Sequence, residues 1–313
     1  MVAWLAQRVD KTTITELLRV SWEAVAKIVI DVVADAIDAN RLNGIYRIGV
    51  DEVSYRKGYR YLTVVADHDQ EGAVIWAGEG KGAATLEAFY DELGDERSAQ
   101  LEAVSMDLGR AYPKATNTKA PQAIQFADPF HVVKLANKAV DDARLWAWNE
   151  ERQRHPAVRR PNGSPIDAPL HERNQTRFVK HTRWALLKDH DDLLDSRLAV
   201  LHELRRSGSV LYRCSQLKEG LRDLYRVRPK QAPEHLAWSL AWASRRRILA
   251  FVQLAKTLRA NRQRILAAIE LGLSNSKLEG LNSKIRLINH RGYGHYSATA
   301  LIAMISVLWR NPS

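Results

Sequence analysis

Apolar positions recur at helical spacing over residues 2–39. "VAWLAQRV" reads as a short helix, "KTTITELL" as a second, and "SWEAVAKIVIDVVADAIDA" as a longer third with Ser21 at its N-cap. Two short helices and a longer one, joined by the tight link "RVS", form the pattern of a helix-turn-helix. A small helical hairpin with no role in DNA binding would read the same way. If the pattern holds, Trp22, Glu23 and Lys27 open the recognition helix.

From Ile45 the period changes to two. "YRIGVDEVS", "YRYLTVVADHD" and "AVIWAGEG" are strand-like runs separated by polar or Gly-containing links, and they predict an antiparallel meander. "AATLEAFYDELG" then has helical spacing with Gly94 as its stop. "LEAVSMD" is a short buried strand, "RAYPKAT" a helix or turn, and "QAIQFAD" a fifth strand. Three strands, helix, strand, helix, strand, with acids at the ends of the first and fourth strands, is the ribonuclease-H-like plan.

Between Phe130 and about Leu273 the strand signal vanishes. "HVVKLANKAVDDARLWAWNEERQR" predicts a long amphipathic helix, "HPAVRRPNGSPIDAPLHE" a loop, and the helices after it place Trp184, Trp238 and Trp242 on apolar faces. Residues 244–264 carry seven Lys or Arg and no acid, including Arg245, Arg246, Arg247, Lys256, Arg259 and Arg262. Such a run reads either as a solvated face or as a surface for a polyanion.

Charge sharpens that choice. The chain has 313 residues and a net charge of +11, and the charge is unevenly spread. Residues 1–50 sum to zero, residues 51–135 to −5, and residues 136–313 to +16. An acidic middle joined to a strongly basic remainder points to division of labour, with nucleic acid as the commonest cytosolic polyanion. Cys214 is the sole cysteine, which excludes a disulfide framework or a zinc site built from thiolates. The run "ALIAMISVLW" is too short to span a bilayer, and "MVAWLAQRVDK" lacks the features of an export leader. The expected location is the cytoplasm, with no membrane partner.

Three acids stand out as candidates for chemistry. In "IGVDEVS", Ile48 and Val50 share one strand face while Gly49 and Asp51 share the other, so Glu52 points away from Asp51. Asp107 ends the apolar strand "LEAVSMD". An aspartate at a strand end is often only a turn former or helix cap, and it is the pair that suggests more. Two hard cations acting on a phosphodiester need a further carboxylate. In "LEGLNSKIRLINHRGYG", Leu278, Leu281, Ile285 and Ile288 fall on one helical face, while Glu279, Asn282, Ser283 and Arg286 fall on the adjoining one. Glu279 stands among Lys277, Lys284, Arg286 and Arg291, and read alone it could be a surface acid neutralising them.

The blocks "GVDEVSYRKGYRYLTVVADH", "VSMDLGRAYPKA", "DPFHVVKL" and "SNSKLEGLNSKIRLINHRGYG" closely resemble the DDE transposases of the ISL-three family of bacterial insertion sequences, in order and through nearly the whole chain. The resemblance implies an α/β fold: a ribonuclease-H-like core with an all-helical insertion and an N-terminal helix-turn-helix segment. The boundaries expected are 1–43 for the helix-turn-helix, 44–135 for the first part of the core, 136–272 for the insertion and 273–313 for the C-terminal helical part of the core. Asp51, Asp107 and Glu279 match the family's catalytic triad, and the gap of 172 positions between Asp107 and Glu279 (279 − 107) is what an all-helical insertion before the last catalytic helix implies.

The activity implied is metal-dependent DNA cleavage and strand transfer at element ends, with two Mg²⁺ ions per site and Mn²⁺ as a substitute. Asp51 would bridge the ions, Asp107 and Glu279 would each hold one, and Lys284, Arg286 and Arg291 would hold phosphates nearby. Asp128 and His131 in "DPFH" are similar to a C/D-x-x-H signature of several transposase groups; a packed histidine at a helix start is the other reading. Inverted-repeat ends and target duplex are the implied partners, with a homo-oligomer assembled on DNA and nucleoid association there. Family members carry a Cys-rich zinc-binding region upstream, which this sequence does not include, so residues 1–43 are expected to be an incomplete recognition unit. Two other activities fit the same residues: a catalytically silent DNA-binding repressor derived from a transposase, and a metal-dependent nuclease without strand transfer.

Overall fold

The computed structural model describes residues 1–6, 8–36, 40–70, 72–154, 177–245, 248–274, 276–291 and 297–308, without the side chains of 36, 276–279 and 307–308. The chain forms two compact units: Met1–Asp128 with Leu271–Ser313, and Pro129–Glu270.

The first unit opens with α1 (Val2–Leu5), α2 (Lys11–Leu18) and α3 (Trp22–Ala36). Asp10 caps α2 by accepting from the Thr13 N–H at 3.0 Å, and Ser21 Oγ accepts from the Ala24 N–H at 3.1 Å at the start of α3. The link between them turns on Arg19, whose φ of 53° is left-handed. Val25, Val29 and Val33 recur every four residues on α3 and are buried.

Next come β1 (Arg47–Arg56), β2 (Arg60–Asp67), β3 (Ala73–Glu79), α4 (Ala83–Leu93), α5 (Asp95–Ser98), β4 (Ala103–Met106), α6 (Ala111–Lys119) and β5 (Ile124–Ala127). The five strands form one sheet in the order β3-β2-β1-β4-β5. β1 is antiparallel to β2, and β2 to β3, while β1 with β4 and β4 with β5 are parallel. This mixed α/β sheet is consistent with a ribonuclease-H-like core.

Strand alternation divides the apolar residues between two layers. On one face Ile48, Val50, Val65, Val104 and Met106 pack with Leu86 and Phe89 of α4 and Tyr112 of α6. On the other, Val53, Tyr55, Leu62 and Val64 pack with Val29 and Val33 of α3 and with the helices that return from the end of the chain.

The regular elements among the described residues of the second unit are all helices, of which the α-helices are α7 (Pro129–Arg154), α8 (Arg183–Leu187), α9 (Asp195–Arg206), α10 (Val210–Asp223), α11 (Ala232–Arg245), α12 (Leu249–Ala260) and α13 (Arg262–Leu271). α7 buries Val132, Ala136, Ala139, Val140 and Ala143. Small side chains on that stripe allow close packing against α10 and α12. Lys218 is fully buried; its Nζ donates to the Leu186 and Lys188 carbonyls at 2.8 and 2.6 Å and so ties α10 to the end of α8. Two further helices, α14 (Ser276–Arg291) and α15 (Ala298–Leu308), complete the first unit.

Two expectations change here. Trp184 and Trp238 are 56% and 51% exposed: α8 buries Ala185 and Leu186 in place of Trp184, and α11 buries Leu236, Leu240 and Ala243 in place of Trp238. The basic run 244–264 does not form a single stripe. α11 is described to Arg245, Ile248 is extended, and Asn261 breaks α12 from α13, so the described charges, Arg245, then Lys256 and Arg259, then Arg262 and Arg264, lie on three helices. Among them Arg259 has a structural task, donating to the Leu240 carbonyl at 3.0 Å and Ser244 Oγ at 2.7 Å.

Candidate active site

Asp51 lies on β1 between Val50 and Val53, and alternation sends its side chain to the layer that contains Val53 and Tyr55. Helix α14 docks against β1 there, burying Ile285 and Ile288 in the same cluster. Two asparagines fasten it. Asn289 Nδ2 donates to the Tyr55 carbonyl at 2.7 Å, and one heptad earlier Asn282 Nδ2 donates to Asp51 Oδ2 at 2.5 Å. The other oxygen, Asp51 Oδ1, accepts from the Glu52 N–H at 2.7 Å. Charge-assisted bonds at both oxygens hold the carboxylate in one orientation.

Gly49 pairs with Ser105 on β4, and Ser105 with Phe126 on β5. Two residues beyond each member of that row come Asp51, Asp107 and Asp128. The register therefore brings the backbones of three aspartates to one level of the parallel part of the sheet. Asp128 is buried, and its N–H donates to the Met106 carbonyl at 3.2 Å, extending the β4–β5 ladder by one residue. Asp107 follows β4 in a tight turn closed by the Gly109 N–H, which donates to Asp107 Oδ1 at 2.7 Å. A Cβ on Gly109 would stand 2.8 Å from that same oxygen, so the turn needs glycine for its close approach and not for an unusual φ.

Glu52 points to the other layer, as alternation predicts, yet it is not remote from the site. It hydrogen-bonds Tyr112, whose hydroxyl lies 3.0 Å from Thr63 Oγ1. Burial raises the Glu52 carboxyl above the ordinary glutamate range, and the negative charge of Asp107 raises it further. Burial likewise pushes the Tyr112 phenol up.

The remaining candidates are placed as follows. Glu279 falls in the first turn of α14, one turn before Asn282, and its side chain lies outside the described residues. Lys284, Arg286 and Arg291 are exposed on the same helix. Trp22 is 37% exposed at the start of α3 with Lys11 Nζ 5.3 Å above its ring, and Lys27 is exposed one turn later. Arg245, Lys256, Arg259 and Arg262 are exposed, whereas Arg246 and Arg247 lie outside the described residues. His131 belongs to the helical unit near the start of α7, its ring 5.8 Å from that of Phe130.

Sequence reasoning overlooked Asn282. It is 4% exposed, and its Oδ1 is buried with no hydrogen-bond partner among the described residues. A buried acceptor left unmatched costs about 1–3 kcal/mol, so its retention calls for an explanation. Helical spacing placed it beside the core edge, and only the distance to Asp51 reveals its task.

A family model described as "Transposase", that of the ISL-three DDE type, matches residues 48–305, spanning β1 to α15. The chain belongs to the ISL-three family of DDE transposases. It is 40% identical over 307 residues to the transposase for insertion sequence element IS1557 of Mycobacterium tuberculosis, an alignment covering 97% of this chain and 69% of that protein. It is 31% identical over 252 residues to the transposase for insertion sequence element IS1001 of Bordetella parapertussis, covering 79% of this chain and 57% of that one. The protein is thus an insertion-sequence transposase, an enzyme that acts on DNA and depends on a divalent metal.

The residues present fit such an ion. Asp51, Asp107 and the Asn282 amide are oxygen donors of the kind hard cations take, and the orphaned Asn282 Oδ1 is a polar atom in want of a partner. Among the described residues no three acids, histidines or cysteines gather closely enough to hold a metal by themselves. The acid on α14 lies outside that set. No helix among the described residues is long and apolar enough to cross a membrane.

Proposed function

We propose that the transposase cleaves phosphodiesters at the inverted-repeat ends of its element and joins them to target duplex, with Asp51, Asp107 and Glu279 as its metal-binding triad. The observation that carries this reading is the tie between Asp51 and Asn282, which joins the strand bearing the first acid to the helix bearing the third. Two Mg²⁺ ions, replaceable by Mn²⁺, would supply an activated water or 3′-hydroxyl and stabilise the departing 3′-oxygen. Asp51 would face both ions, and Asp107 and Glu279 one each. Lys284, Arg286 and Arg291, exposed on α14, would hold the phosphates that flank the reacting bond.

In this reading α2 and α3 are a helix-turn-helix, with Trp22 and Lys27 at the DNA and residues 1–43 as its extent. The helical unit is an insertion between two parts of the catalytic core, and the basic residues of α11 to α13 bind DNA without regard to sequence. Asp128 would lend negative charge beside Asp107, and His131 would serve as an accessory group. Assembly of two or more copies on paired ends would bring both reacting strands together.

The test uses labelled duplex carrying the element's inverted repeat, incubated with Mg²⁺ and analysed for nicked and joined products. Asp51→Asn, Asp107→Asn and Glu279→Gln should each remove both products while DNA binding and folding persist. Near-normal cleavage by any of the three would remove that residue from the triad. Products cut but never joined would reduce the protein to a nuclease.

A further inference from the structure

Asn282 sits where three observations converge. Its side chain is buried, its Nδ2 grips Asp51 Oδ2 at 2.5 Å, and its Oδ1 has no hydrogen-bond partner among the described residues. Docking of α14 does not account for all of this. Ile285, Ile288 and the bond from Asn289 to the Tyr55 carbonyl already fasten the helix to β1. A merely structural contact at Asn282 would use the donor and would not retain an unmatched buried acceptor.

The choice of side chain is informative. An aspartate here would press a second anion against Asp51 Oδ2, which needs a proton or a cation between them. An alanine or leucine would release Asp51. An amide offers a donor to Asp51 together with an uncharged oxygen on a separate atom. We propose that Asn282 is a neutral member of the metal centre, positioning Asp51 through Nδ2 and offering its buried Oδ1 to the ligand shell of the cation. The inference rests on the reading of Asp51 as a metal ligand.

Mn²⁺ binding to the full chain, followed by loss of the free-ion electron paramagnetic resonance signal, tests this without DNA or turnover. Asn282→Ala should weaken Mn²⁺ binding by about tenfold or more, the range found when residues that orient metal ligands are removed. Asn282→Asp, nearly isosteric, loses the donor but keeps an oxygen. It should bind Mn²⁺ more tightly than Asn282→Ala, and Mn²⁺ should raise its melting temperature more than it raises that of the unsubstituted protein. Asn289→Ala, which loosens the helix seven residues away, should leave the affinity unchanged. If Asn282→Ala binds Mn²⁺ like the unsubstituted protein while Asp51→Asn does not, the proposal for Asn282 is wrong and the triad stands. If Asp51→Asn also binds normally, the metal reading of Asp51 fails and takes this inference with it. Should Asn282→Ala not fold, Asn282→Asp decides: affinity below that of Asp51→Asn would overturn a ligand role.

Discussion

Gly109 donates its N–H to Asp107 Oδ1 at 2.7 Å, and a side chain on Gly109 would begin 2.8 Å from the same oxygen. The carboxylate of Asp107, the second acid of the proposed triad, is thus held by a backbone group that tolerates no β-carbon. Gly109→Ala should keep the fold, since the turn is open to solvent at its tip, but displace the Asp107 carboxylate. Cleavage should fall by about tenfold to a hundredfold, with a higher Mg²⁺ requirement, as expected when a ligand loses its orienting contact. Mg²⁺ titrations of initial rate check this; an unchanged metal requirement would mean that the turn does not position Asp107.

Glu52 provides the contrast to Asp51. Its carboxyl occupies the opposite layer and bonds Tyr112, yet it lies within electrostatic reach of Asp107. Glu52→Gln should keep cleavage within about tenfold of normal, a supporting role and not a ligand's. A loss as deep as that of Asp51→Asn, measured in the same single-turnover assay, would put Glu52 inside the centre.

The basic residues of the helical unit should separate by task. Neutralising Arg245, Lys256 and Arg262 should flatten the dependence of DNA affinity on salt, by about 0.9 in the logarithmic slope for each phosphate contact removed, equally for repeat and scrambled duplex. Arg259→Ala should instead lower stability by about 1 kcal/mol, because it leaves the Leu240 carbonyl and Ser244 Oγ without their donor. Binding titrations across salt and urea unfolding distinguish the two; an unchanged slope would leave these charges as solvated surface.

Asp67 carries a pH signature. It is fully buried, with Oδ1 accepting from the Asp69 N–H at 2.8 Å and Oδ2 unmatched among the described residues. Burial, with the charge of Asp69, raises its carboxyl above the usual range. Between the unfolded and the native pKa, the native state binds more of the proton than the unfolded chain does. Its favourable contribution is complete below the unfolded carboxylate pKa and is lost as pH rises through the raised native value. Asp67→Asn should therefore gain stability relative to the unsubstituted protein as pH rises from the ordinary aspartate range through the raised native value. Urea unfolding at both ends of that range measures the gap, and a gap independent of pH would show that Asp67 is not held protonated.

Local pattern was sufficient for much of this molecule, because local forces decide it. The order of strands and helices, the N-cap at Ser21 and the opposed faces of Asp51 and Glu52 all follow from periods of 2 and 3.6 and from capping chemistry. The four motif blocks likewise carried the family. What remained hidden depended on contacts between residues far apart in the chain. Asp51 meets Asn282 across 231 positions, and no periodicity marks which polar residue of α14 will face which strand. Whether Trp184 and Trp238 fill the core or flank it depended on which face of each helix was packed, that of Ala185 and Leu186 on α8 and that of Leu236, Leu240 and Ala243 on α11. Arg259 looked like its neighbours until the end of α11 was found within its reach. Burial, register across parallel strands and the matching of buried donors to acceptors are properties of the packed chain, and only the tertiary structure assigns them.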